Sequence, residues 1–134
     1  MASVEAARVA GSADAASATA IISSARLLGL GSNLTAKDVY DMAIAGNPKA
    51  KRVFVCMGEA VGMLLATLIN IFDFPLYLIA GGVIAGWDLF APPMLDEAAR
   101  RSFTYGITKP RVEKAKLGNE AGLYGAACLP WSED

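Results

Sequence analysis

The stretch of sequence that decides the fold is Leu76-Tyr77-Leu78-Ile79-Ala80-Gly81-Gly82-Val83. Its first five residues form a continuous apolar run, which is typical of a central parallel β-strand buried on both faces. The run ends at two glycines, and a helical pattern follows over residues 87–102. A strand, a glycine turn and a helix make up half of a βαβ unit. The stretch therefore predicts an α/β fold with parallel strands.

The turn formed by Gly81, Gly82 and Val83 is the candidate binding site. Glycines leave the backbone N–H groups accessible, and the N-terminus of a following helix favours anionic groups. The turn therefore suits a phosphate or a ribose. A plain tight turn is the commoner role of such a pair. The chain also lacks the two established phosphate-binding motifs, GxxxxGK[ST] and GxGxxG.

The residues before this stretch predict three helices. A capping box of Thr35 and Asp38 opens the second helix. Asn47 and Pro48 open the third, because Pro is tolerated in the first turn and Asn is a good N-cap. The three helices cover residues 16–28, 36–45 and 48–72.

The segment Val53–Phe72 is long enough to cross a bilayer. Two observations argue against a membrane helix. Five polar residues, in this segment or just before it, lie on one arc of the helical wheel, and a glutamate near the centre of a membrane helix would be energetically costly. These polar residues are Lys49, Arg52, Glu59, Thr67 and Asn70. The pattern favours a nearly buried core helix with one polar stripe and no membrane partner. Gly58, Gly62 and Ala66 form a smooth ridge beside that stripe, where another backbone can approach closely.

After residue 102 the sequence predicts one more strand and one more helix. The strand, Arg111–Leu117, alternates imperfectly and is expected at a sheet edge. The helix covers Ala121–Leu129. Residues 1–12 are an Ala-, Ser- and Gly-rich leader that we expect to be disordered or foreign to the domain, and residues 13–134 form one domain.

The composition excludes several classes of function. The chain has 134 residues, 12 Lys plus Arg against 13 Asp plus Glu, and no histidine. A net charge of −1 gives no basic surface for nucleic acid. The lack of histidine excludes Ser-His-Asp and Cys-His catalysis and His-ligated metal sites. Cys56 and Cys128 lie in apolar runs and are predicted to be buried free thiols of a cytoplasmic protein, with a disulfide as the alternative.

Five segments, taken in order, resemble the ROK group of bacterial sugar kinases and repressors, within the actin-like ATPase superfamily. They are Ala16-Ser17 with Ala20-Ile21, then Ala43-Ile44-Ala45-Gly46-Asn47-Pro48-Lys49-Ala50, then Gly62–Asn70, then Ala80-Gly81-Gly82-Val83, and finally Leu117–Ala127. The resemblance covers residues 16–129. It implies part of an actin-like ATPase (RNase H-like) C-terminal lobe, rich in helix and with two short parallel strands.

The resemblance also implies a function. In this family ATP lies in a cleft between two lobes, and the turn that matches Gly81, Gly82 and Val83 lies against the nucleotide. Mg²⁺ on the phosphates and an aspartate of the other lobe then support phosphoryl transfer to a hexose hydroxyl. The family's phosphate loop, catalytic Asp and zinc segment have no counterpart in the sequence, and Ala13 stands where its sugar-binding glutamate is expected. We therefore expect the nucleotide-side segment of a glucose-type hexose kinase that is inactive alone, with no catalytic residue or metal ligand of its own.

Two alternatives remain at this stage. One is the sugar-sensing and dimerisation half of a ROK transcriptional repressor. The other is a small homo-oligomeric interaction module that pairs through the Gly58 and Gly62 ridge and its incomplete sheet. The expected partners are ATP, a hexose bound by the missing N-terminal lobe, and either that lobe or a second copy of the chain.

Overall fold

The structure, a computed structural model, describes residues 18–116 and residue 127. Within this part, the predicted helices and strands occur in the predicted order, but two short helices over 82–86 and 105–108 were not predicted, and the second strand ends at Lys114, before the predicted Leu117. Residues 18–27 form helix α1, and the later elements are α2 (Ala36–Ile44), α3 (Pro48–Phe72), β1 (Leu76–Ile79), a 3-10 helix (Gly82–Gly86), α4 (Trp87–Arg101), α5 (Tyr105–Thr108) and β2 (Arg111–Lys114). The leader at residues 1–12 and, apart from residue 127, the helix predicted at 121–129 lie outside the described residues.

The predicted helix starts are confirmed by their caps. The Thr35 hydroxyl accepts a hydrogen bond from the Asp38 N–H at 3.2 Å, and the Asp38 carboxylate accepts one from the Thr35 N–H at 2.8 Å. The side-chain oxygen of Asn47 accepts from the N–H groups of Lys49 and Ala50 at 2.9 and 3.3 Å. These bonds satisfy backbone N–H groups in the first turn of each helix, which have no hydrogen-bond acceptor within the helix itself.

The long helix α3 packs on α4 through its small residues. A Cβ atom added to Gly58 would lie 2.4 Å from the carbonyl oxygen of Phe90, and one added to Gly62 would lie 2.4 Å from that of Met94. The prediction of a close-approach ridge is therefore confirmed. Its partner, however, is α4 of the same chain, so the prediction that this ridge pairs with a second copy is wrong.

Burial of α3 is one-sided. Leu64 and Ile71 are 60% and 65% exposed, so the prediction of a nearly buried helix is wrong for its C-terminal half. The reason is that α4 covers one face and α2 contacts α3 elsewhere, while no described element covers the opposite face. Among the described helices, α3 alone has the length and apolar content to span a membrane, a test that core helices of soluble proteins also pass.

The thiol of Cys56 was also predicted to be buried, and this prediction is wrong. Cys56 lies on α3 and is exposed as a free cysteine. Its apolar sequence neighbours do not bury it, because neighbours in a helix point in different directions. Cys128 lies outside the described residues.

The two strands form a parallel pair with Leu76 opposite Arg111 and Ile79 opposite Lys114. The side chains of Tyr77, Ile79 and Val112 pack against the helical core. The prediction that β1 is a central strand buried on both faces is wrong for the described part of the chain. There, β2 is its single strand neighbour, and Leu78, on the face opposite Tyr77, is 58% exposed.

Asn70 and Glu97 make polar contacts near the C-terminal ends of α3 and α4. The Asn70 side-chain oxygen accepts hydrogen bonds from the Ser102 hydroxyl at 2.8 Å and the Phe103 N–H at 3.0 Å. The largely buried Glu97 carboxylate pairs with Arg100 at 2.6 Å and with Arg101. The Asn70 bonds hold the corner between α4 and α5 against α3, whereas the Glu97 ion pairs lie within the last turns of α4.

Candidate functional site

The glycine turn after β1 has a conformation that other residues rarely adopt. Gly81 has φ 105° and ψ 176°, a region in which a side chain would be strained. Its carbonyl oxygen accepts a hydrogen bond from the Ile84 N–H at 3.1 Å, which starts the 3-10 helix. That helix runs directly into α4 at Trp87. The predicted site residues Gly81, Gly82 and Val83 are thus placed together, at the entrance to a continuous helical segment.

A cavity of about 370 Å³ lies beside this turn. The 3-10 helix forms one wall and the helices α1, α2 and α3 form the others. Its lining is mostly apolar, and consists of Ile21, Ala36, Lys37, Tyr40, Asp41, Phe54, Gly82, Val83, Ala85 and Gly86. Two of the three predicted site residues, Gly82 and Val83, therefore line one cavity.

The contact between Gly86 and Phe54 in the cavity wall was not predicted from the sequence. Gly86 lets the ring of Phe54 approach, since a Cβ at Gly86 would lie 2.9 Å from a ring carbon. Phe54 in turn meets Tyr40 edge to face, with ring centroids 6.1 Å apart. The signal available in the sequence was a third glycine, four residues after Gly82. Its role depends on α3 and the 3-10 helix meeting, which local sequence does not reveal.

The polar groups of the cavity come from α2. Lys37 and Asp41, one helical turn apart, form an exposed ion pair with a separation of 3.7 Å. The neighbouring Asp38 serves the cap: hydrogen bonds from the Thr35 hydroxyl and N–H lower the pKa of its carboxyl group. Lys37 is the one cationic residue among those that line the cavity, so it is the group there that would attract an anion.

A second groove of about 430 Å³ lies between α1 and α3. Ile21 and Val83 line both this groove and the first cavity and therefore lie between the two. Cys56 contributes to its wall. No residue of this groove is charged, so it offers hydrophobic contact and little orientation for a polar ligand.

The remaining groups to consider are possible metal ligands and the carboxylate of Asp88. Within residues 18–116 and 127, no group of three His, Cys, Asp or Glu residues is arranged to hold a metal ion. Asp88 lies in the first turn of α4, as expected for a carboxylate that stabilises a helix start.

A parallel βαβ unit is typical of α/β proteins, and in proteins of that class ligands generally bind beyond the carboxyl ends of the strands. The chain belongs to the ROK family, because the family's sequence model matches residues 12–132. The family resemblance found in the sequence is therefore confirmed.

Solved structures show the same relationship. The chain is 31% identical to a ROK hexokinase from Thermus thermophilus, with a TM-score of 0.69 over 82% of this chain and 37% of that one. It is 29% identical to a ROK family glucokinase from Streptomyces griseus, solved in complex with glucose and AMPPNP, with a TM-score of 0.62 over 96% of this chain and 41% of that one. No curated protein matches the chain.

These matches confirm the predicted fold class: a helix-rich part of an actin-like ATPase fold with two short parallel strands. The chain spans about two fifths of the length of both relatives.

Proposed function

We propose that this chain forms the nucleotide-side segment of an ATP-dependent hexose kinase. The observation that carries the proposal is that Gly82 and Val83 of the glycine turn line an apolar cavity, in a chain of the ROK family. The Streptomyces griseus relative, solved with glucose and AMPPNP, supports a nucleotide and a hexose as the ligands of the complete protein.

The residues present fit a nucleotide. The left-handed backbone at Gly81 leaves room for a ribose or phosphate to approach the turn, and the start of a helical segment favours negative charge. The adjoining cavity, walled by Tyr40 and Phe54, has the size and apolar lining that suit a planar base. Lys37 at its edge supplies a positive charge. Bound ATP would supply the phosphoryl group; the role of this chain is to bind and orient the nucleotide.

The same residues do not supply the rest of a kinase. The titratable residues that line the cavity are Lys37, Tyr40 and Asp41, and the Asp41 carboxylate is paired with Lys37. Phosphoryl transfer depends on positioning both substrates and on stabilising charge, so one wall of a site is not sufficient. We assign no catalytic base and no Mg²⁺ ligand to the described residues, and expect the chain alone to be inactive.

Nucleotide binding by the purified chain tests the assignment. We expect AMPPNP to bind with a dissociation constant of about 1 mM or tighter by calorimetry, equivalent to about −4 kcal/mol. Gly81→Val is expected to weaken binding at least about tenfold, which corresponds to about 1.4 kcal/mol. The cause is a side chain forced into a left-handed conformation at the binding turn.

Gly46→Val is the matched control. Gly46 also has a positive φ, 97°, a Cβ there would meet nothing within 4 Å, and the residue lies between α2 and α3, outside the glycine turn. Both variants carry a similar backbone strain, so a selective loss at Gly81 isolates the site. Equal affinity of the Gly81 variant and the unaltered chain would overturn the assignment.

Enzyme activity tests the second part of the proposal. ATP-dependent phosphorylation of glucose by the purified chain is expected to be negligible, and measurable turnover without an added protein would contradict it. For the whole protein, the kinase is favoured over the repressor alternative because both relatives described above are sugar kinases by name.

A further inference from the structure

Two apolar side chains separate the candidate nucleotide cavity from the groove beside it. Ile21 on α1 and Val83 in the 3-10 helix line both spaces, whose volumes are about 370 and 430 Å³. Within the described part of the chain, these are the two residues that both linings share. We call this pair the Ile21–Val83 partition. The boundary between a proposed base site and a second space of similar size is therefore a single pair of side chains.

The partition is built from stiff side chains. Ile and Val are both branched at Cβ, which restricts rotation about χ1. Ile21 is 7% exposed and belongs to the hydrophobic core, and Val83 packs against that core. Rotation of either side chain would disturb these core contacts. The partition therefore acts as a fixed wall of the cavity.

A base bound in the cavity would lie against this wall. Val83 directly follows Gly82, and both residues line the cavity together with Tyr40 and Phe54. Ligand sites commonly have volumes of about 300–1,000 Å³, so this cavity is near the lower limit. A base that occupies so small a space lies close to each of its walls, including the partition.

The groove beyond the partition suits an apolar group. The residues that line it carry no charge, and apart from Val83 they belong to α1 and α3. Its volume of about 430 Å³ exceeds that of an apolar cavity of roughly 150 Å³, which is sufficient to bind benzene. The groove therefore has room for a benzyl group attached to a base, but the partition lies between the two.

We propose that the Ile21–Val83 partition sets the largest base that this site accepts. The unaltered chain excludes an adenine nucleotide with a benzyl group on the side of the base that faces the partition, because the benzyl group would clash with branched side chains. Truncation of Val83 to Ala joins the cavity to the groove and admits the same nucleotide. This size limit rests on the proposed function, and it assigns base selection at that site to Val83 and Ile21.

Affinities for substituted nucleotides test the partition. The probes are AMPPNP and three AMPPNP derivatives that carry a benzyl group at C2, N6 or C8 of the base. The measured quantity is the ratio of the dissociation constant of each derivative to that of AMPPNP, obtained by calorimetry with the same form of the chain. For at least one derivative, we expect a ratio of about ten or more in the unaltered chain. In Val83→Ala we expect that ratio to be at least about tenfold lower.

Val61→Ala is the matched control. Val61 is half-buried, as Val83 is, but it lies on α3 and lines the groove. Its truncation enlarges the groove by the same two methyl groups without opening the partition, so the ratios should stay as in the unaltered chain.

Ile21→Val is a second partition variant. It removes one methyl group from the other side chain of the partition and keeps the branching at Cβ. We expect it to lower the same ratio by a smaller factor, and it decides the matter if Val83→Ala does not fold.

Three outcomes would overturn the size limit. They are ratios near one for all three derivatives in the unaltered chain, no decrease of any ratio in either partition variant, and an equal decrease in Val61→Ala. Failure of AMPPNP to bind any form of the chain would overturn the proposed function and the size limit with it. Binding of AMPPNP with unchanged ratios would overturn the size limit alone, so the two failures are distinguishable.

Discussion

The Cβ position of Gly62 lies 2.4 Å from the carbonyl oxygen of Met94, so α3 and α4 meet there backbone to backbone. The same spacing recurs one turn earlier, between Gly58 and Phe90. Because α4 begins where the 3-10 helix ends, this contact also sets the position of the glycine turn relative to α3. The packing of two small residues thus positions the candidate site.

Gly62→Ala is expected to destabilise the chain by about 1–3 kcal/mol, because a methyl group cannot fit without separating the helices. The measurement is the free energy of unfolding in urea. Gly106→Ala is the control, since a Cβ at Gly106 meets nothing within 4 Å. It should leave stability unchanged or raise it by up to about 1 kcal/mol. Equal stability of the two variants would contradict the packing described.

Asn70→Ala is expected to release the corner between α4 and α5. It removes the acceptor for the Ser102 hydroxyl and the Phe103 N–H, at a cost of about 1–3 kcal/mol for two hydrogen bonds. Exchange at the Phe103 amide should become faster. Asn33→Ala, at an exposed position, is the control and should leave both quantities unchanged. Unaltered exchange in the Asn70 variant would show that this contact does not hold the corner.

Glu97 should contribute to the acid sensitivity of the chain. Hydrogen bonds from Arg101 and Arg100 lower the pKa of its carboxyl group below the ordinary value of 4.5. A carboxyl group whose pKa is lower in the folded state stabilises the fold above its unfolded pKa. This contribution is lost as the pH falls through the folded pKa. Glu97→Gln should therefore make unfolding free energy less dependent on pH below 4.5, and an unchanged slope would argue against the ion pairs.

Cys56 should react with a thiol reagent in the folded protein. Its side chain is exposed, and in a Cys128→Ser background it is the one remaining thiol. We expect complete alkylation by iodoacetamide under native conditions, at a rate within about tenfold of that in the unfolded chain. The Cys56→Ser variant in the same background provides the blank. Reaction only after addition of denaturant would restore the prediction of a buried thiol.

Local patterns predicted most of the described elements correctly. The capping box at Thr35 and the Asn47 and Pro48 start of α3 depend on neighbouring residues, and the structure confirms both. The glycine turn was also predictable, because an apolar run followed by Gly81 and Gly82 is a local signal. The contact of Gly86 with Phe54 was not, since these residues are far apart in the chain and meet only in the fold.

The sequence by itself determined where α2, α3 and α4 begin, which residues form the turn, and the family to which the chain belongs. Each of these rests on short-range backbone chemistry or on the order of motifs. Tertiary structure alone decided that the Gly58 and Gly62 ridge meets α4, and that Cys56, Leu64 and Leu78 are exposed. The physical reason is that burial depends on which surface covers a side chain, and an apolar residue has the same local sequence whether its partner is present or absent.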